Sequence, residues 1–172
     1  MTDTTPLWPE SIPKLIPLAL VALSLGALGT AYTAQYKFGL EPCILCLYQR
    51  IPYAVIGVLG IFGYLVRGSR LIWIVTLLAG VTFAAGAVLG FYHVGVEQHW
   101  WVSAASCGDA GTGSAGQSVQ DFLKALQAKP VKACDQVDWT LFGISMATYN
   151  AVFSAFAAVI AVAAALKIRR AS

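Results

Sequence analysis

Cys43-Ile44-Leu45-Cys46-Leu47-Tyr48-Gln49-Arg50 opens an apolar run that continues to Val66 and carries one full charge, at Arg50. A bilayer core takes about 20 apolar residues per helix, so this stretch predicts a membrane-spanning helix with two thiols at its start. Three more stretches meet the same length, about Leu15–Tyr36, Leu71–Val96 and Trp139–Leu166. The fold predicted is an all-α, four-helix transmembrane bundle forming one domain over residues 1–172. The first run resembles a secretory signal, but it is about twice the 7 to 15 apolar residues of one and lacks a pair of small residues spaced for cleavage.

Composition agrees with a membrane class. Of the 172 residues, 58% are hydrophobic and only 11% charged, and the mean hydropathy is +0.72, whereas a soluble domain carries about 25% charged residues. The net charge of +3 is small and scattered, which argues against a nucleic-acid partner. Its distribution carries more information. Lys14, Arg67, Arg70, Lys167, Arg169 and Arg170 fall with the two termini and the Arg67–Arg70 turn. Positive charge in short loops and at helix ends marks the cytoplasmic side, so both termini are expected there and all four cysteines on the outer face. Disulfides persist in such compartments, the bacterial periplasm among them.

The outer face has a short loop, about Lys37–Pro42, and a long one, about 97–138. The long loop holds Cys107 beside a glycine-containing tract and then Cys134. Between them Val119, Phe122, Leu123 and Leu126 recur at helical spacing, with Ser118 as a cap and Pro130 as a stop, predicting a short amphipathic helix at the membrane surface or against the bundle. Trp100, Trp101 and Trp139 are expected to anchor the interface. Small residues, including Gly26, Gly29, Ala84, Gly86, Gly90 and those of Ala155–Ala165, are expected to let helices approach closely.

The chemistry gathers at the second helix. Pro42 suits a helix start, where its missing N–H costs nothing. Cys43 and Cys46 then share one face of the first turn, where unpaired backbone N–H groups and the helix dipole favour thiolate. Arg50, four residues beyond Cys46, projects to the same side and is read as stabilising negative charge on Cys46 or on a bound electron acceptor, the alternative being a snorkelling anchor. Pro52 introduces a break beside the thiols. His93, near the outer end of the third helix, is a weaker candidate for an acceptor pocket. A metal site is not expected. Zinc takes about four ligands, and His93 and His99 show no usual zinc spacing relative to Cys43 and Cys46. An inert crosslink is the remaining alternative to redox work for the pair.

The segment Cys43-x-x-Cys46-x-Tyr48-x-Arg50, the outer loop with Cys107 and Cys134, and the aromatic stretch leading into the fourth helix together resemble the DsbB family of bacterial disulfide bond formation proteins. The resemblance covers nearly the whole chain, departing at Gln49, where many relatives have glutamate. It implies a multi-pass protein of the bacterial inner membrane whose redox centres are the disulfides Cys43–Cys46 and Cys107–Cys134. A periplasmic DsbA-like thiol oxidase would be the partner, and a membrane quinone, ubiquinone or menaquinone, the cofactor, held near Cys46 and Arg50 and lined by His93. A vitamin K epoxide reductase-like enzyme has the opposite order of loop and paired cysteines, and a non-catalytic adaptor braced by disulfides is the reading from outside enzymology.

Overall fold

The computed structural model describes residues 12–67, 69–103, 132–137 and 139–171. Within them the chain forms four long helices, α1 (Ile12–Lys37), α2 (Ile44–Leu65), α3 (Ile72–Glu97) and α4 (Met146–Ala171). Each is long and apolar enough to cross a membrane. The four-helix fold class predicted from the sequence is the one observed. Cys107 and the predicted amphipathic helix at Val119–Leu126 lie outside the described residues.

The first three helices match the apolar runs closely; the fourth begins later than Trp139. Thr140–Leu141 (β1) and Ile144–Ser145 (β2) pair antiparallel instead, Thr140 opposite Ser145. Phe142 and Gly143 turn between them at φ +51 and +79. Two successive left-handed residues make the turn whose twist suits a two-residue hairpin, and they cannot continue a right-handed helix. Met146 therefore starts α4.

Up-and-down connectivity puts Lys37, Cys43, Glu97 and Met146 at one end of the bundle and Arg67, Arg70 and Arg169 at the other. At that basic end Arg67 donates to the Tyr64 carbonyl (2.8 Å) and lies over the Tyr64 ring, and Arg169 lies over Trp73. Arginines that rest on aromatic faces near helix ends keep their heads toward water.

Close approach of backbones holds the bundle. A Cβ placed on Gly90 would lie 2.9 Å from the Cα of Ala151, and one on Gly60 would lie 3.0 Å from the Pro17 carbonyl oxygen. The predicted small-residue packing is thus present between α3 and α4 at Gly90. Gly26 and Gly29 differ, with no atom within 4 Å of an added Cβ, and Ala84 is exposed. The glycines that seat α1 on α2 are Gly57, Gly60 and Gly63 of the second helix.

The core beneath the thiol end contains Leu20, Tyr53, Ile56, Ala79, Phe83 and Ala158. Tyr53 and Phe153 both meet the Phe83 ring edge-on, with ring centroids 6.4 Å apart in each pair. In α2 the buried positions Leu45, Gln49, Tyr53, Ile56, Gly60 and Gly63 follow helical spacing, leaving Cys46 and Arg50 on its flank. α1 packs along α2, and α3 along α4. Facing residues of α1 and α4 bound a cavity of about 630 Å³.

Candidate functional site

Cys43 is the N-cap of α2. Its sulfur accepts from the Cys46 backbone N–H at 3.3 Å, filling one of the donor positions that a helix start leaves open. The two sulfurs are 3.1 Å apart, and both residues carry thiols. Cys43 is buried and Cys46 half-buried. Cys134 is buried in the same cluster, with Cys43, Leu45 and Val96, and Cys46 packs against that cluster. Three of the four predicted redox residues are thereby brought to one end of the bundle.

His93, the weakest candidate in the sequence, stands against the pair. Its Nε2 is 3.6 Å from the Cys43 sulfur, and its Nδ1 is 2.6 Å from the Gln49 amide nitrogen. The same Nε2 lies 3.9 Å from a Glu97 oxygen, while the other Glu97 oxygen accepts from the Ser145 hydroxyl at 2.5 Å. His99 is elsewhere, on the surface and 4.0 Å from Asp135.

Gln49 is the hub that the sequence did not announce. While its amide nitrogen faces His93, its oxygen accepts from the Asn150 side chain at 2.7 Å. Asn150 in turn accepts from the Tyr53 hydroxyl at 2.5 Å, and Ser154 lies 3.3 Å from that hydroxyl. A file of polar groups therefore runs from Cys43 through α3, α2 and α4. Buried polar atoms inside an apolar bundle are costly unless paired, and every such side-chain atom among the described residues is paired.

Arg50 donates to Gln35 of α1 at 2.7 Å and stands over the Tyr32 ring, 4.8 Å from its centroid. Among the described residues no carboxylate pairs with it. A cation held by a neutral amide and an aromatic face, with the carboxylates Glu41 and Glu97 lining the same cavity, makes no direct ion pair among the described residues and can attract an anion formed nearby. Arg50, Gln35, Cys43, Cys46, His93 and Asn150 all line the cavity between α1 and α4, and Gly26 and Ala27 continue it along α1.

Two of the tryptophans expected at the interface pack within the protein. Trp101 folds back over α3, donating to the Tyr92 carbonyl at 3.0 Å and stacking on the Tyr92 ring. Trp139 lines the cavity.

The family model described as "Disulfide bond formation protein DsbB" matches residues 13–164. The chain belongs to the DsbB family. It is 34% identical over 160 residues to a disulfide bond formation protein B of Dechloromonas aromatica, covering 89% of this chain and 90% of the relative. A protein of the same description from Xanthomonas oryzae pv. oryzae is 30% identical over 153 residues, covering 86% and 87%. One from Pseudoalteromonas translucida is 32% identical over 137 residues, covering 75% and 76%. Membership makes the chain a multi-pass membrane disulfide oxidoreductase of DsbB type, in place of the vitamin K epoxide reductase-like and adaptor alternatives.

Proposed function

We propose that this protein reoxidises a DsbA-like periplasmic thiol oxidase and delivers the electrons to a membrane quinone, ubiquinone or menaquinone, with its termini in the cytoplasm and its cysteines in the periplasm. The observation that carries this reading is the opening of the Cys43–Cys46 pair onto a largely apolar cavity that Arg50 also lines. A flat, lipid-borne ring with carbonyl oxygens suits such a lining, apolar along α1 and α4 with a few convergent polar groups. Arg50, Gln35 and the Cys46 thiol would hold it. A bound quinone supplies a two-electron acceptor stronger than a DsbA-type disulfide, which is itself near −120 mV.

The chain's own residues account for the remaining steps. A thiolate of the reduced partner attacks the Cys107–Cys134 disulfide at Cys107, forming a mixed disulfide and releasing Cys134 as thiolate. The partner's second thiol then resolves the mixed disulfide, leaving the partner oxidised. Cys134 attacks the Cys43–Cys46 disulfide at Cys43, forming a Cys43–Cys134 disulfide, and Cys46 leaves as thiolate with Arg50 in the same cavity. The burial of Cys134 in one cluster with Cys43 supports that exchange. Cys107 then attacks Cys134, restoring Cys107–Cys134 and freeing Cys43, and the Cys43–Cys46 disulfide re-forms as the pair's two electrons and protons pass to the acceptor.

The test is turnover of purified protein with a reduced thioredoxin-like donor and added ubiquinone or menaquinone. Quinone reduction is expected, and Cys46→Ser is expected to abolish it. Normal turnover in all four single cysteine-to-serine variants would refute the relay.

A further inference from the structure

We infer that the reduced enzyme carries a binding site for a zinc-class divalent cation, formed by Cys43, Cys46 and His93 with its fourth position open to the cavity. The three ligand atoms of Cys43, Cys46 and His93 all lie within 4.8 Å of one another. Tetrahedral zinc, with Zn–S near 2.3 Å and Zn–N near 2.0 Å, sets its ligand atoms about 3.4 to 3.8 Å apart. The Cys43 sulfur is 3.6 Å from His93 Nε2 and 3.1 Å from the Cys46 sulfur. With the third pair within 4.8 Å, changes in separation of up to about 1.4 Å would close the three around one ion.

The surroundings suit a cation. One Glu97 oxygen is tied to Ser145, and the other faces His93 Nε2 at 3.9 Å. Cys43, Cys46, His93 and Glu97 all border the cavity, which gives an ion a path in. Behind the imidazole, Gln49 and Asn150 supply what a metal-bound histidine needs. With a cation on Nε2, Nδ1 carries hydrogen and requires an acceptor. The Gln49 amide can turn its oxygen to Nδ1, Asn150 can turn its oxygen to Gln49, and the Asn150 amide nitrogen can then donate to the Tyr53 hydroxyl. Every group stays paired in either sense.

The site belongs to one redox state. Two of its ligands are the thiols that the catalytic cycle oxidises, and each ion bound displaces two thiol protons. A disulfide at Cys43 leaves no thiolate there to bind. Conversely, a bound cation withholds Cys43 from exchange and stands in the cavity beside Arg50.

The test uses full-length, reduced protein in detergent with Cys107 and Cys134 both replaced by serine, titrated with Co²⁺ and then with Zn²⁺. One cobalt per chain is expected, with the intense visible bands of a tetrahedral thiolate complex, displaced by zinc. His93→Ala should lose the tetrahedral spectrum, and Gln49→Leu should weaken binding about 10- to 100-fold, as changes behind a ligand do. Oxidising the same sample should abolish binding and reduction should restore it, a comparison that needs no further substitution. A pale octahedral spectrum, binding indifferent to His93→Ala, or equal binding by oxidised protein would overturn the inference. Neither donor nor quinone enters this titration, so its failure would leave the thiol relay standing.

Discussion

Asn150→Leu tests whether the polar file across α2, α3 and α4 acts as a unit. The substitution keeps the side chain near its volume and removes a donor to Gln49 (2.7 Å) and an acceptor for Tyr53 (2.5 Å). The Tyr53 hydroxyl keeps Ser154 at 3.3 Å, so its loss is partial. The Gln49 oxygen has no second partner among the described residues. Leaving one buried acceptor unpaired costs about 1–3 kcal/mol, and hydrogen bonds between membrane helices average about 0.6 kcal/mol with a ceiling near 2. A destabilisation of about 2 kcal/mol is the expected result. It can be read from unfolding of the purified protein in mixed micelles, followed by tryptophan fluorescence. Gln49→Leu should cost a similar amount alone, while the double variant should cost clearly less than the sum, because the stranded partner is then gone. Coupling within the roughly 0.3–0.5 kcal/mol scatter of independent sites would refute the idea of a connected file.

Arg50→Met should lower quinone reduction by about 100-fold, the scale for removing one charge-stabilising donor from a water-poor site, with Arg50→Lys recovering part of it; steady-state assays that show no change would reduce Arg50 to an anchor. Gly90→Val pushes a side chain into the Ala151 backbone and should cost about 1–3 kcal/mol by overpacking, seen as a lower thermal midpoint in detergent. Gly26→Leu meets open space and should leave that midpoint no lower, yet raise KM for quinone by narrowing the cavity along α1; an unchanged KM would separate the cavity from the acceptor.

Much of this architecture could be read from residues alone, for reasons that are physical. A run of apolar residues as long as a bilayer is thick has few alternatives, and so α1, α2 and α3 fall where hydropathy puts them. Cys43, Cys46 and Arg50 could be grouped because three- and four-residue offsets superpose on a helix whatever surrounds it. The start of α4 was not legible, since Trp139–Ser145 is as apolar as a helix and only Phe142-Gly143 hints at a turn. Nor was the His93 contact with Cys43. Fifty residues separate them, and the crossing of α2 and α3, set by side-chain packing, brings them together. Gln49 and Asn150 carried a signal that was available, as amides deep in apolar segments normally have partners, but the partner's identity is a property of the folded bundle.

Because the Cys43 sulfur also closes the first turn of α2, any bond it forms is felt by the backbone at once. Drawing that atom toward another sulfur takes an acceptor away from the Cys46 amide, so electron flow and the integrity of a helix terminus are mechanically tied. The Cys46 amide proton is thereby a built-in reporter: its chemical shift should track which partner holds Cys43, turnover by turnover.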